Sequence, residues 1–290
     1  MTASADARIA LATCAAFPGG DPDDARLPAA LGAEFVVWDD PTVDWERYDL
    51  VVLRSTWDYQ YARDAFVAWA RRLGERLVNP PEVVAWNTDK RYLGELAAAG
   101  LPVVETAFLA PGEPLHAPDR EYVVKPTVSA GSRDTARFAG GAEDAARAGR
   151  LVDEIHGSGR TVMVQPYVPS VDVRGETAML FFDGTLSHAI HKAPLLRPGA
   201  GTIDDVFAPE TIAPRTPTAA ERDVAATVVA WVVQRFGGAP AYARVDLVED
   251  EHGRPHVLEL ELTEPSLFFG HADGALERFA AAVRARMPVV

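Results

Sequence analysis

The chain has 290 residues, 48% of them hydrophobic and 24% charged, and a net charge of −14. That is enough apolar material for two or three compact units, and the acidic balance argues against general nucleic-acid binding, which wants a basic face. One cysteine, Cys14, excludes a disulfide framework within the chain, and no run reaches the roughly 20 apolar residues of a membrane helix, so no membrane partner is expected.

The first residues are polar, include Asp6 and lack the basic start and apolar stretch of a signal peptide, so the expected location is cytoplasmic. Arg8 to Cys14, Glu34 to Trp38 and Leu50 to Leu53 read as short apolar strands of the kind a parallel sheet buries on both faces. Cys14, inside the first run, reads as a buried, inert thiol. Tyr61 to Leu73 reads as a helix with Ala65, Phe66, Trp69 and Leu73 on one stripe. Asn79-Pro80-Pro81 marks a stiff break. A helix follows from about Thr88 to Ala99, stopped by Gly100 and Pro102.

Tyr122 to Lys125 is a predicted strand ending at Pro126, before the small-residue loop Thr127 to Ser132. Ala142 to His156 is a predicted helix, and Thr161 to Gln165 a strand. Glu176 to Phe182 and Leu186 to Lys192 flank Asp183-Gly184, a hairpin signal. Pro194 to Pro217 reads as a long loop and Ala219 to Phe236 as a helix. Tyr242 to Glu249 and His256 to Leu262 form a further hairpin, and a helix over about Gly274 to Met287 closes the chain. The expected class is α/β, becoming α+β after an N-terminal open parallel sheet, with units at 1–86, 87–167 and 168–290.

The last hairpin carries the strongest chemical signal. Residues two apart on a strand share a face, so Arg244 joins Asp246, and Glu259 joins Glu261. Leu258, Leu260 and Leu262 are then expected on the opposite, buried face. If pairing brings the polar faces together, three carboxylates converge, and a hard divalent cation such as magnesium relieves their repulsion while also taking nucleotide phosphate oxygens. The alternative is a solvated acidic face. Arg244 offers a guanidinium fork to a phosphoryl group. Lys90 opens a helix, and Lys125 precedes the loop carrying Ser129, Gly131 and Ser132, whose backbone N–H groups suit phosphate. Gln165-Pro166-Tyr167-Val168 closes a strand with groups suited to an adenine edge. At the end of a strand, Arg54 suits a substrate carboxylate, and Ser55, Thr56 and Asp58 an amino group. The alternative there is a helix cap with Trp57 and Tyr59 as packing.

From about Asn87 to Ser266 these pieces stand in an order that resembles the ATP-grasp superfamily: Asn87-Thr88-Asp89-Lys90, Val123-Val124-Lys125-Pro126, Val164-Gln165-Pro166-Tyr167-Val168, Arg244-Val245-Asp246 and Glu259-Leu260-Glu261-Leu262-Thr263-Glu264-Pro265. The resemblance implies a pre-ATP-grasp domain followed by two ATP-grasp subdomains. It places Lys90 and Lys125 on ATP phosphates, and Gln165, Tyr167 and Val168 around adenine. Glu176 falls near the ribose, and Lys192 with His191 near the γ-phosphate. Asp246, Glu259 and Glu261 would bind two magnesium ions. Many relatives have Asn where Glu261 stands and Ser where Glu264 stands. Asp172 and Arg174 resemble an Asp-x-Arg element of some members.

The implied activity is ATP-driven conversion of a carboxylate to an acylphosphate, followed by attack of a nitrogen. Ser129 to Thr135 is the expected lid, with Pro194 to Pro217 a second cover. Leu53 to Tyr59 and Trp86 to Tyr92 are similar to the branch that contains the O-ureido-D-serine cyclo-ligase of antibiotic biosynthesis, which implies a small amino-acid-like substrate. A homodimer is compatible with this. The alternatives are an intermolecular carboxylate–amine ligase and a nucleotide-binding regulator without turnover. A dinucleotide oxidoreductase is disfavoured, because Cys14 to Gly20 lacks the G-x-G-x-x-G spacing.

Overall fold

Strands β1 (Ile9–Thr13), β2 (Ala33–Val37), β3 (Leu50–Leu53) and β4 (Leu77–Val78) form a parallel sheet in the order β2-β1-β3-β4, in a computed structural model that describes residues 8–131, 133–196 and 211–288. Every residue of β1 and β3 is buried, as their continuous apolar runs require. Helices α1 (Leu27–Leu31) and α2 (Arg63–Leu73) flank this sheet, and α3 (Pro81–Asn87) and α4 (Tyr92–Ala98) lead away from it.

Pro80-Pro81 is therefore not a linker: Pro81 is the first residue of α3, a position where the missing N–H costs nothing. The helix expected from Thr88 is shortened to α4, and Thr88 to Arg91 form the corner between α3 and α4. That corner puts Lys90 at a junction between helices.

The second sheet holds β5 (Ala107–Leu109), β6 (Tyr122–Pro126), β7 (Ala136–Phe138) and β8 (Val162–Pro166), antiparallel in the order β5-β8-β6-β7. Helix α5 (Ala142–Gly157) buries Ala148, Leu151, Val152 and Ile155 against it. After the short α6 (Val171–Arg174) comes the third sheet: β9 (Glu176–Phe182), β10 (Thr185–Lys192), β11 (Ile212–Pro214), β12 (Tyr242–Glu249) and β13 (Pro255–Glu261), antiparallel in the order β11-β10-β9-β12-β13.

Strand alternation decides what each face of the third sheet does. Met179, Phe181, Ala243, Val245, Leu247 and Leu260 pack in one core with Ala225, Val228, Val229 and Val232 of α7 (Ala219–Phe236). Thr218 and Glu221 cap α7 reciprocally, and Gly237 ends it at φ 77°. On the opposite face, Ala178, Leu180, Phe182 and Tyr242 share a core with Ile9, Leu11, Leu50 and Val52 of the first sheet and with Phe279 and Val283 of α8 (Ala275–Arg284). Farther along β12 the same face carries Arg244 and Asp246 into a cavity.

Candidate active site

The cavity lies between the second and third sheets, and side chains from the first unit close one end. Its acidic wall is the β12–β13 pair, where Arg244 stands opposite Glu261 and Asp246 opposite Glu259. The two polar faces do come together, and all four side chains line the cavity. Arg244 Nε donates to Asp246 Oδ1 at 2.8 Å and Nη2 to Asp246 Oδ2 at 3.0 Å. Nη2 also donates to Glu261. Burial alone would raise Glu259, but Lys90, Lys125 and Arg244 bring its carboxyl below the ordinary range. Glu261 goes the other way: burial, Glu259 and Asp246 raise it against the pull of Arg244.

A β-bulge after Asp246 shifts the register, so that Leu247 faces Val257. Leu258 is re-aimed by it and lines the cavity, whereas Leu260 and Leu262 are buried as expected.

Lys90 Nζ donates to the Ser129 carbonyl at 2.7 Å and lies 3.1 Å from Glu259 Oε1. Burial opposes its charge, but Glu259, Glu261 and Glu264 raise its pKa. Burial depresses the Lys125 amine, with Glu259 opposing. Both lysines face the cavity, as do Ser129 and Gly131 of the loop between β6 and β7. Gly131 has φ 65°, a conformation that glycine takes without strain. Ser132 and residues 197–210 of the second expected cover lie outside the described residues.

The hinge is set by buried polar contacts. Gln165 donates to the Thr106 hydroxyl at 3.0 Å, and the Tyr167 N–H donates to the Glu121 carbonyl at 2.8 Å. The Tyr167 hydroxyl donates to Asp172 at 2.6 Å while the Arg137 guanidinium lies 3.3 Å from its ring centroid. Arg137 also pairs with Glu121 and Asp172, at 2.7 Å and 2.9 Å. Asp172 thus fixes the hinge ring, and Arg174 pairs with Glu249 outside the cavity. Val168, Val123, Val248 and Leu258 complete an apolar slot beside Tyr167.

Glu176 and Lys192 stand opposite each other on β9 and β10, with Lys192 Nζ 3.6 Å from Glu176 and 3.5 Å from Asp246. Gly175 precedes them at φ 63°, where a Cβ would run into the Lys192 carbonyl and the His191 ring. His191 points the other way, its Nε2 3.0 Å from the Arg174 carbonyl, and does not line the cavity.

The expected substrate contacts at Arg54, Ser55, Thr56 and Asp58 are not brought to the cavity either. Arg54 is 2% exposed and binds the buried Asp24 through Nε and Nη2, at 3.1 and 2.9 Å. Ser55 accepts from the Asp21 N–H, Thr56 is fully buried, and Asp58 accepts from the Trp38 indole at 2.7 Å. The alternate side chains Trp57 and Tyr59 line the cavity instead.

Arg54 has another task. Every carbonyl from Leu262 to Leu267 has a side-chain donor in reach: Asn79, Tyr242, Trp57, Arg54, Arg244 and His188, in that order. Three of these donors come from the first unit. Together they hold the strap after β13 that presents Glu264, Ser266 and Phe268 to the cavity. Asn87 adds bonds to Leu260 and Leu262. Phe268 sits at φ 52°, a conformation non-glycine residues rarely adopt, with its ring 5.7 Å from the Arg244 guanidinium carbon. Trp57, Tyr59, Asn87, Glu264 and Phe268 were not singled out as site residues from the sequence. Asn87 heads one of the matching stretches, Trp57 and Tyr59 read as packing in the alternative, and Glu264 stands at an expected serine.

The structure holds four cationic and five acidic side chains on one cavity, beside an apolar slot. The described residues contain no preformed cluster of three His, Cys, Asp or Glu closed on one point. The donor chemistry nevertheless fits magnesium, because Asp246, Glu259 and Glu261 supply hard oxygens on one wall of the cavity.

The family model described as the N-terminal domain of D-cycloserine synthetase DcsG matches residues 9–79. Over 278 residues the chain is 41% identical to the cycloserine biosynthesis protein DcsG of Streptomyces lavendulae, covering 91% of this chain and 92% of that protein. A crystal structure of D-cycloserine synthetase DcsG matches with a TM-score of 0.85 and 37% identity, over 97% of this chain and 100% of that one. A D-alanine–D-alanine ligase from Bacillus anthracis, crystallised with ATP, shares the fold at a TM-score of 0.64 and 16% identity, over 97% and 98% of the two chains. No described helix is long and apolar enough to cross a membrane. The chain belongs to the DcsG family of ATP-grasp enzymes and is an ATP-dependent carbon–nitrogen ligase.

Proposed function

We propose that this enzyme is a cyclo-ligase: it activates the carboxylate of a small amino-acid-like substrate as an acylphosphate and closes a nitrogen of the same molecule onto it, as in the cyclisation of O-ureido-D-serine to D-cycloserine. The observation that carries this reading is the continuity of the cavity. Its apolar slot and lysines run directly into an end walled by Trp57, Tyr59, Glu264 and Phe268. The 41% identity to a cycloserine biosynthesis protein over 91% of the chain supports the substrate class.

In this reading residues 1–86 form the substrate side, 87–167 the lid-bearing subdomain and 168–290 the metal-bearing subdomain. Adenine lies between Tyr167, Val168 and Leu258, within reach of Gln165, and the ribose lies by Glu176. Lys90, Lys125 and the loop at Ser129 and Gly131 neutralise the phosphates, with Lys192 and Arg244 near the γ-phosphate. Asp246, Glu259 and Glu261 would hold two magnesium ions, which would screen the repulsion between phosphate and carboxylate. The catalytic task of the chain is positioning and charge neutralisation.

A substrate carboxylate oxygen bonds to the γ-phosphorus as ADP leaves. The substrate nitrogen then attacks the acyl carbon, phosphate leaves with that oxygen, and the nitrogen gives up a proton; with O-ureido-D-serine, water then takes the carbamoyl group off that nitrogen as carbon dioxide and ammonia. The loop held by Lys90 excludes water from the acylphosphate.

The test is incubation with ATP, magnesium and a panel of amino acids that includes O-ureido-D-serine, reading released phosphate and product mass. Phosphate and a cyclic product from the ureido compound alone are expected. Phosphate released only when an acid and a separate amine are both present would replace the reading with intermolecular ligation.

A further inference from the structure

The charges on the cavity are unevenly matched. Glu259 lies 3.1 Å from Lys90, Asp246 pairs with Arg244 and Lys192, Glu261 with Arg244, and Glu176 with Lys192. Glu264 is the cavity carboxylate with no cation within salt-bridge distance among the described residues. Tyr59, itself 3% exposed, lines the same end of the cavity. The Glu264 backbone cannot swing away, because Trp57 Nε1 donates to its carbonyl at 3.1 Å and Arg54 Nη2 to the next one at 3.0 Å.

A half-buried carboxylate fixed in place without a cation is costly unless a ligand supplies one. The Trp57 and Tyr59 rings beside it line the same end of the cavity and present aromatic surface, which also attracts a cation.

We propose that Glu264, with Tyr59 and Trp57, is the specificity element of this site, binding the α-ammonium group of the substrate. The inference rests on the amino-acid-like substrate of the reading above. It assigns a positive group to a place where the family resemblance expects a serine. A serine hydroxyl has no charge to offer an ammonium, so the exchange selects a substrate that brings its own cation to this end of the cavity. Arg54 and Asp24 serve as positioning residues, holding the carbonyl that follows Glu264.

The test compares O-ureido-D-serine with its analogue lacking the α-amino group, in the wild type and in Glu264→Gln, reading kcat/KM for each and KM for ATP. The wild type should favour the amine-bearing compound by roughly 30-fold or more, the scale for a desolvated charge pair. In Glu264→Gln that preference should collapse to within a few-fold while KM for ATP stays within about twofold, and Glu264→Asp should recover part of it. Unchanged ATP saturation shows that the variant is folded. If the wild type turns over the ureido compound but Glu264→Gln keeps the same preference, or weakens magnesium–ATP binding instead, the inference fails and the cyclo-ligase reading stands. If the wild type turns over neither compound, that reading fails and this inference with it.

Discussion

At the scale of single residues, the site is organised by charges that no local solvent compensates. Glu259 and Glu261 are two residues apart on β13, yet burial and neighbours move them in opposite directions. Glu259 lies 3.1 Å from Lys90 and feels the charge of Lys125 as well, so its loss removes both a proposed metal ligand and the partner of Lys90. Glu259→Gln should lower kcat/KM by at least about 100-fold, beyond the usual effect of a residue that merely supports a metal ligand. Glu261→Asn should cost about tenfold or less, since amide oxygen is also a hard donor and the substitution removes repulsion. Steady-state kinetics over a magnesium titration checks the pair, and equal losses would contradict the asymmetry. Lys125 is destabilised by its own burial, and in the proposed function a bound triphosphate would relieve that. Lys125→Met should therefore raise KM for ATP roughly 10- to 100-fold and leave saturation by the acid nearly unchanged.

At the scale of elements, the strap from Leu262 to Leu267 transmits the first unit's order to the site. The sequence shows a strand ending in Thr263-Glu264-Pro265, but gives no local sign that Arg54 reaches Pro265, 211 residues away. For that reason the strand-end segment Arg54 to Asp58 reads as a substrate ligand set when taken alone. Its polar side chains face the interior of the first unit, while its rings face the cavity. Arg54→Met should cost about 3–5 kcal/mol by leaving Asp24 buried without its cation. Adding Asp24→Leu should return most of it in urea unfolding, while KM for the acid stays raised because the Pro265 carbonyl has lost its donor. A folded double variant with an unchanged KM for the acid would remove Arg54 from the positioning of the strap. His188 holds the last carbonyl of the strap. A carbonyl only accepts, so Nε2 carries the proton, at 2.9 Å from Leu267, and Nδ1 accepts from Ser187. Burial depresses this imidazole to about 4 from an ordinary 6.5. The unfolded chain therefore binds the extra proton first, and stability present above pH 6.5 is lost as pH falls toward 4. Between pH 7 and pH 5 the loss from this group is about 2 kcal/mol. Urea unfolding of the wild type and His188→Gln at both pH values should show that difference, and parallel losses would remove His188 from the account.

At the scale of the whole molecule, three sheets supply three different parts of one cavity, and the chain order of those parts is readable. The alternation of Arg244 with Asp246 and of Glu259 with Glu261, the two lysines and the Gln165–Val168 hinge all stand where their pattern places them. What was not legible depends on contacts between units. The bulge that turns Leu258 inward, the corner that brings the buried Lys90 to the cavity, and the convergence of Trp57, Tyr59 and Glu264 on one cavity join segments far apart in the chain. The short strands β4, β5, β7 and β11 carry too few residues to show a period. The proposed reaction runs through a phosphorylated carboxylate. The most direct measurement supplies O-ureido-D-serine labelled with oxygen-18 in its carboxylate, together with ATP and magnesium, and follows the label by mass spectrometry. Transfer of one labelled oxygen into the released phosphate, alongside a cyclic product, is the predicted result. Cyclic product formed with unlabelled phosphate would contradict it.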